Sequence, residues 1–176
     1  MSLDAFLNMP IVGVEDGSFH KGITRSALLV AVLFKRLKIE NLKTTKITVD
    51  GLDATQKLAA VLLAGVSFAG FNIIDPTVIY EKFHKPVVII TREQPDTRAV
   101  KRALKRHFGD WAIRLQVFEK LGSVYRLFVL DGEPPVYTEI IGADVKWACK
   151  LIQALSACSR IPEPVRVARI IARGLS

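Results

Sequence analysis

Four acids carry the strongest chemical signal in this chain. Glu15 and Asp16 stand side by side where an apolar run, Ile11-Val12-Gly13-Val14, stops. Asp53 follows the alternating stretch "KTTKITV", and Asp144 follows the apolar string "PVYTEII". Hard divalent cations are held by oxygen ligands, and phosphoryl-transfer sites set two of them about 4 Å apart between carboxylates. Acids drawn from several strand ends could hold Mg²⁺ or Mn²⁺ against a phosphodiester. Each acid also has a plainer reading. Asp16-Gly17 is a strong hairpin signal, and on that string alone a turn is the commoner outcome. Asp50 and Asp75 read as a turn residue and a helix cap.

Cations supply the second signal. In "PDTRAVKRALKRHF", Val100, Ala103, Leu104 and Phe108 share one helical face, and Arg98, Lys101, Arg102, Lys105 and Arg106 share the other. Arg166, Arg169 and Arg173 form a further stripe near the C-terminus. A run of charge is often just a solvated face. Here the chain as a whole carries +8 with a pI near 9.7, which favours a polyanionic partner, nucleic acid above all. Binding to an anionic membrane surface is the other use of a basic amphipathic helix, but the apolar face is small and reads as core. The longest apolar run, Leu58 to Phe71, falls short of a bilayer span, so no membrane segment is expected. His84 and His107 lack partner motifs and read as surface residues. Walker, dinucleotide-binding and nucleophile-elbow motifs are not found.

The elements that must position these residues follow from patterning. Strands are predicted over 10–16, 26–35 and 43–49, with connections short enough for an antiparallel meander. The run from Leu58 fits a buried strand as well as a buried helix, and periodicity leaves the choice open. A helix over 76–84 starts at Pro76 behind a capping Asp75, and "PVVIIT" (86–91) reads as a buried strand. The basic helix comes next, then a helix over Asp110–Leu121, strands at "VYRLFVL" and "PVYTEII", and a helix over 143–158. That helix sets Trp147, Leu151, Leu155 and Cys158 on one face; a last helix covers Pro164–Arg173. At 176 residues without repeats or linkers, the chain reads as a single domain, 1–176. The predicted class is α/β, a mixed sheet of a three-strand antiparallel meander plus parallel strands, flanked by helices. That order suits the ribonuclease H-like fold, which shares it with other α/β folds. Cys149 and Cys158, nine residues apart on one predicted helix, point to opposite faces and cannot pair within it. Both read as core thiols of a cytoplasmic protein, and no signal peptide is read at the N-terminus.

Several strings taken together carry a resemblance: "GVEDGSF", "TVDGLDAT", "GVSFAGFNIID", "HFGDW" and "IPEPVRVARIIARGL". They resemble the archaeal domain-of-unknown-function 99 family, a distant relative of endonuclease V, over nearly the whole chain. The resemblance implies a ribonuclease H-like domain and metal-dependent phosphodiester cleavage near deaminated bases. On it, the first catalytic carboxylate falls on Glu15 with Asp16 adjacent, and the second falls on Asp53. The third, from a "Val-Asp-Gly" strand end, falls on "LLAG", where Ala64 stands in place of an acid. Expected metal ligands are therefore Glu15 and Asp53, with Asp16 or Asp144 in support, and the basic helix would hold phosphates. Two functions stay open: an Mg²⁺- or Mn²⁺-dependent nuclease acting on DNA or RNA, and a catalytically inactive nucleic-acid-binding module on the same fold.

Overall fold

A computed structural model describes residues 7–17, 28–35, 38–45 and 58–175. Its main sheet has seven strands. Strands β1 (Ile11–Asp16), β2 (Leu29–Lys35) and β3 (Lys38–Thr45) form the antiparallel meander. β4 (Ala60–Leu63) and β7 (Val87–Thr91) extend it in parallel with β1. β9 (Val136–Ile141) then pairs antiparallel with β7, and β8 (Tyr125–Leu127) closes the edge. This is the expected mixed sheet, with its meander and its parallel centre. The third strand begins at Lys38, ahead of the predicted 43–49, and its pairing with β2 carries a register shift at Leu33/Phe34. Residues 46–57, with Asp50 and Asp53 among them, lie outside the described residues.

The central strands read as unbroken apolar runs because both of their faces are covered. On one face Ile11, Leu62, Val88 and Ile90 pack with Leu151, Ile152 and Leu155 of α4 (Val145–Leu155) and with Val165 of α5 (Glu163–Gly174). On the other, Val12, Val14, Leu63 and Ile89 pack with Ile79 and Phe83 of α1 (Pro76–Phe83) and with Leu121, which follows α3 (Trp111–Lys120). The basic helix α2 (Thr97–His107) lies beside α3. Val30, Val32 and Phe34 of the meander are sealed by Ala168 and Ala172 of α5.

The run from Leu58 resolves as strand β4 followed by a hairpin, β5 (Ser67–Phe68) with β6 (Asn72–Ile73). Its turn needs left-handed backbone at Ala69 and Gly70, with φ of 47° and 90°. Gly13 has a different reason to be glycine. A Cβ there would sit 2.2 Å from the backbone carbon of Pro164, so α5 can lie on β1 only because position 13 has no side chain.

Two expectations need correction. α4 ends at Leu155, where Ser156 takes non-helical backbone, so Cys158 is exposed and shares no helical face with Trp147. Cys149 is only half-buried. Neither thiol belongs to the core.

Candidate active site

Side chains alternate along β1, so Ile11 and Gly13 face α5 while Val12 and Val14 face the opposite layer, and at the strand end the Glu15 and Asp16 side chains come into hydrogen-bonding contact. Glu15 opens into a groove of about 300 Å³ at the C-terminal ends of the parallel strands. Thr91, Arg92 and Glu93 line it from the end of β7, Arg169 lines it from α5, and Ile161 and Val165 supply apolar wall. The groove lies where α/β sheets commonly seat their ligands, outside the carboxyl ends of the strands. Ala64 lines it too, and the Ala64 N–H donates to the Val14 carbonyl at 3.1 Å, which continues the parallel ladder and brings position 64 beside Glu15.

The electrostatics of Glu15 are unusual. Burial pushes its carboxyl up to about 8, and the neighbouring Asp16 charge pushes the same way. Arg169 across the groove opposes both without cancelling them. A carboxylate held this way gains from any cation that enters. Asp16 is anchored differently: its carboxylate accepts from the Ala69 N–H at the tip of the β5–β6 hairpin.

Asp144 does not belong to this site. β9 runs antiparallel to β7, with Ile141 opposite Val87 at the start of that strand. Asp144 therefore stands at the other end of the sheet, where its carboxylate accepts from the Trp147 N–H at 2.9 Å and caps α4. Asp75 likewise caps α1, accepting from Thr77. Among the described residues, no group of three or more His, Cys, Asp or Glu could hold a metal ion. Among the described residues the donor set is the pair Glu15 and Asp16, with Glu93 on the groove wall. Two carboxylates suit one largely hydrated Mg²⁺ or Mn²⁺, since Mg²⁺ keeps several waters and binds one or two acids. Taken by themselves, these described acids are too few for a two-metal clamp.

Arg98, Lys101, Arg102, Lys105 and Arg106 are all exposed on α2. Lys105 lies over the Trp111 ring, 4.6 Å from its centroid. The first turn of α2 lines a second cavity that shares Ala64 and Thr91 with the groove, so the basic helix borders the site. The C-terminal stripe divides: Arg166 is held by Glu163 through contacts of 2.6–3.0 Å, whereas Arg169 faces the groove. Sequence reasoning missed Glu139, which is 8% exposed and lines the second cavity. An acid within the alternation of "PVYTEII" was the available signal.

The model of the endonuclease dU family matches residues 8–176. The chain belongs to the endonuclease dU family. Archaeal relatives agree with that membership. A UPF0215 protein of Pyrococcus furiosus is 33% identical across 92% of this chain and 89% of its own length. Another, from Methanothermobacter thermautotrophicus, is 32% identical across 94% and 87%. Among solved structures, a protein of unknown function from Archaeoglobus fulgidus superposes with a TM-score of 0.79 at 25% identity, covering 95% of this chain and 98% of that one. Ciona intestinalis endonuclease V, in complex with an inosine-containing DNA, has a TM-score of 0.58 at 13% identity, covering 95% and 85%. The endonuclease dU family member described here thus has the endonuclease V fold, as its sequence strings implied. No helix among the described residues is long and apolar enough to cross a membrane.

Proposed function

We propose that this endonuclease dU family protein is a divalent-metal-dependent nuclease acting on DNA or RNA that carries deaminated bases. The observation carrying this reading is the groove at the strand ends, where the perturbed Glu15 carboxyl stands beside Asp16 with Arg169 opposite. Family and fold point the same way, toward a nuclease-like function on nucleic acid. Glu15 and Asp16 would hold Mg²⁺ or Mn²⁺, joined by Asp53, which lies outside the described residues. When bound, the ion would neutralise charge on a phosphoryl oxygen. Arg169 orients a phosphate at the groove wall, and the exposed cations of α2 hold the strand beyond it. The apolar Ile161 and Val165 limit water on the α5 side.

One observation favours a second reading, a catalytically inactive nucleic-acid-binding module. Ala64 stands beside Glu15 where a third acid would complete the ligand set, and the described acids number too few for two metals. Cleavage separates the two. Labelled DNA and RNA strands with a single uracil or hypoxanthine are incubated with Mg²⁺ or Mn²⁺ and resolved on a gel. The nuclease reading expects cutting by the wild type and none by Glu15→Gln plus Asp53→Asn. Equal products from both proteins would end it. Binding without cutting in both would leave the module.

A further inference from the structure

A hairpin whose strands are two residues long cannot hold itself in place. β5 and β6 pair with each other and stand apart from the main sheet, so their position depends on ties from outside. Phe68 supplies one, buried in the core. The others meet at the turn. The Ser67 hydroxyl donates to the Gly70 carbonyl, and the Asn72 amide donates to the Ala69 carbonyl at 3.1 Å. The Arg114 guanidinium reaches across from α3 and donates to the Phe71 carbonyl at 2.7 Å. Ala69 keeps left-handed backbone, with φ of 47°, which a residue bearing a Cβ holds only where its surroundings impose it. In that conformation its N–H meets the Asp16 carboxylate.

Arg114 is itself fixed in place. Its Nε donates to the Asp110 carboxylate at 2.8 Å. Its guanidinium lies 4.4 Å from the centroid of the Phe108 ring, and that ring meets Phe71 edge-on at 5.7 Å between centroids. A planar guanidinium can serve two acceptors and a ring face at once, which a lysine ammonium cannot.

We propose that Arg114 is a positioning residue for the carboxylate pair: it fixes the Phe71 peptide, the turn fixes the Ala69 N–H, and that N–H holds Asp16 beside Glu15 for a divalent cation. This deepens the nuclease reading above, on which the cation rests. A ligand side chain left free must be ordered when the cation binds, and that ordering costs affinity. A carboxylate already held by a backbone N–H avoids the loss, provided the group behind it is rigid. The same guanidinium sets α3, packed beside the basic helix α2, in register with the acid at the end of β1.

The test compares wild type with Arg114→Met, which keeps an unbranched apolar stem and loses every donor, with Asp16→Asn, and with the double variant. The first readout is hydrogen exchange at single amides, followed by NMR with chelator present. The Ala69 amide should exchange about tenfold faster in Arg114→Met, while the Ile74 amide, bonded to the Val66 carbonyl at the base of the hairpin, should be unchanged. The second is Mn²⁺ affinity, read from the electron paramagnetic resonance signal of the free ion. Arg114→Met should bind Mn²⁺ about tenfold more weakly than wild type, and the same change in the Asp16→Asn background should have no effect, because nothing is left for it to position. An unchanged Ala69 amide overturns the assignment, as does equally faster exchange at Ala69 and Ile74, which marks general loosening. So does an equal loss of Mn²⁺ affinity with and without Asp16. A wild type that binds no Mn²⁺ ends the metal reading instead, and the Ala69 amide then decides by itself whether Arg114 holds the turn against Asp16.

Discussion

Glu15 makes the groove expensive to keep, and that cost can be measured. Its carboxyl sits at about 8 in the folded protein against an ordinary value of 4.5. Below pH 4.5 the group is protonated whether the chain is folded or not, and its stabilising contribution is fully present. As pH rises the unfolded chain releases this proton first, so stability drains away until the folded group has also titrated, near pH 8. At 1.36 kcal/mol per unit, a rise of about 3.5 units is worth roughly 5 kcal/mol at the limit. Because part of the carboxyl meets solvent and Arg169, a loss of roughly 3–5 kcal/mol is the realistic range. Glu15→Gln abolishes this titration and nearly preserves the shape. Urea unfolding of both proteins with chelator present, at steps from pH 4.5 to 9, gives the difference directly. The wild type should fall away from the variant with a slope approaching about 1.4 kcal/mol per pH unit, and the gap should close again when millimolar Mn²⁺ is added. Parallel stability curves across that range would refute the buried, cation-seeking carboxylate and the site built on it.

Three further outcomes are expected. Ala64→Asp should melt lower than wild type without metal and recover with Mn²⁺, by about 2.7 kcal/mol at a hundredfold excess over the dissociation constant; a loss of stability indifferent to Mn²⁺ would show position 64 to be ordinary core. Lys101→Ala with Arg102→Ala should weaken binding to oligonucleotides of any sequence and reduce the slope of log K against log salt by about 0.9 per phosphate contact on duplex, or about 0.7 on single strands; an unchanged slope would remove α2 from the interface. Gly13→Ala should cost about 3 kcal/mol or more, since the new methyl would meet the Pro164 backbone rather than a flexible side chain; thermal melting checks it, and a neutral result would mean that α5 can move off β1.

The sheet was legible wherever local pattern and tertiary environment agreed. The strand over 86–91 and the Asp75-capped helix carry their own boundaries, in β-branched residues, a proline and a capping acid. The run from Leu58 did not, because a strand covered on both faces shows no alternation, and only pairing with β1 and β7 decides its form. Resemblance and motif set Glu15 beside position 64, and both line the groove. Asp144 could not be placed, because an acid after a strand looks the same at either end of a sheet, and the antiparallel direction of β9 is set by partners distant in sequence. Cys158 was misplaced for a simpler reason: helical spacing was carried past the point where α4 stops. Glu139 escaped notice because an acid inside a strand reads as solvent-facing until the layer covering it is known.

The seating of Pro164 on Gly13 also sets an order on biosynthesis. One wall of the groove, with Arg169 and Val165, comes from the last helix, while Glu15 comes from the first strand, some 150 residues earlier. The meander residues Val30, Val32 and Phe34 stay unsealed until Ala168 and Ala172 arrive. Contacts so distant along the chain close slowly, since the loop entropy is lost before the packing repays it. The groove therefore does not exist until α5 has been made, and a nascent chain lacking α5 exposes apolar strands. Premature termination near Ile161 would leave an aggregation-prone fragment rather than a folded protein with a weakened groove.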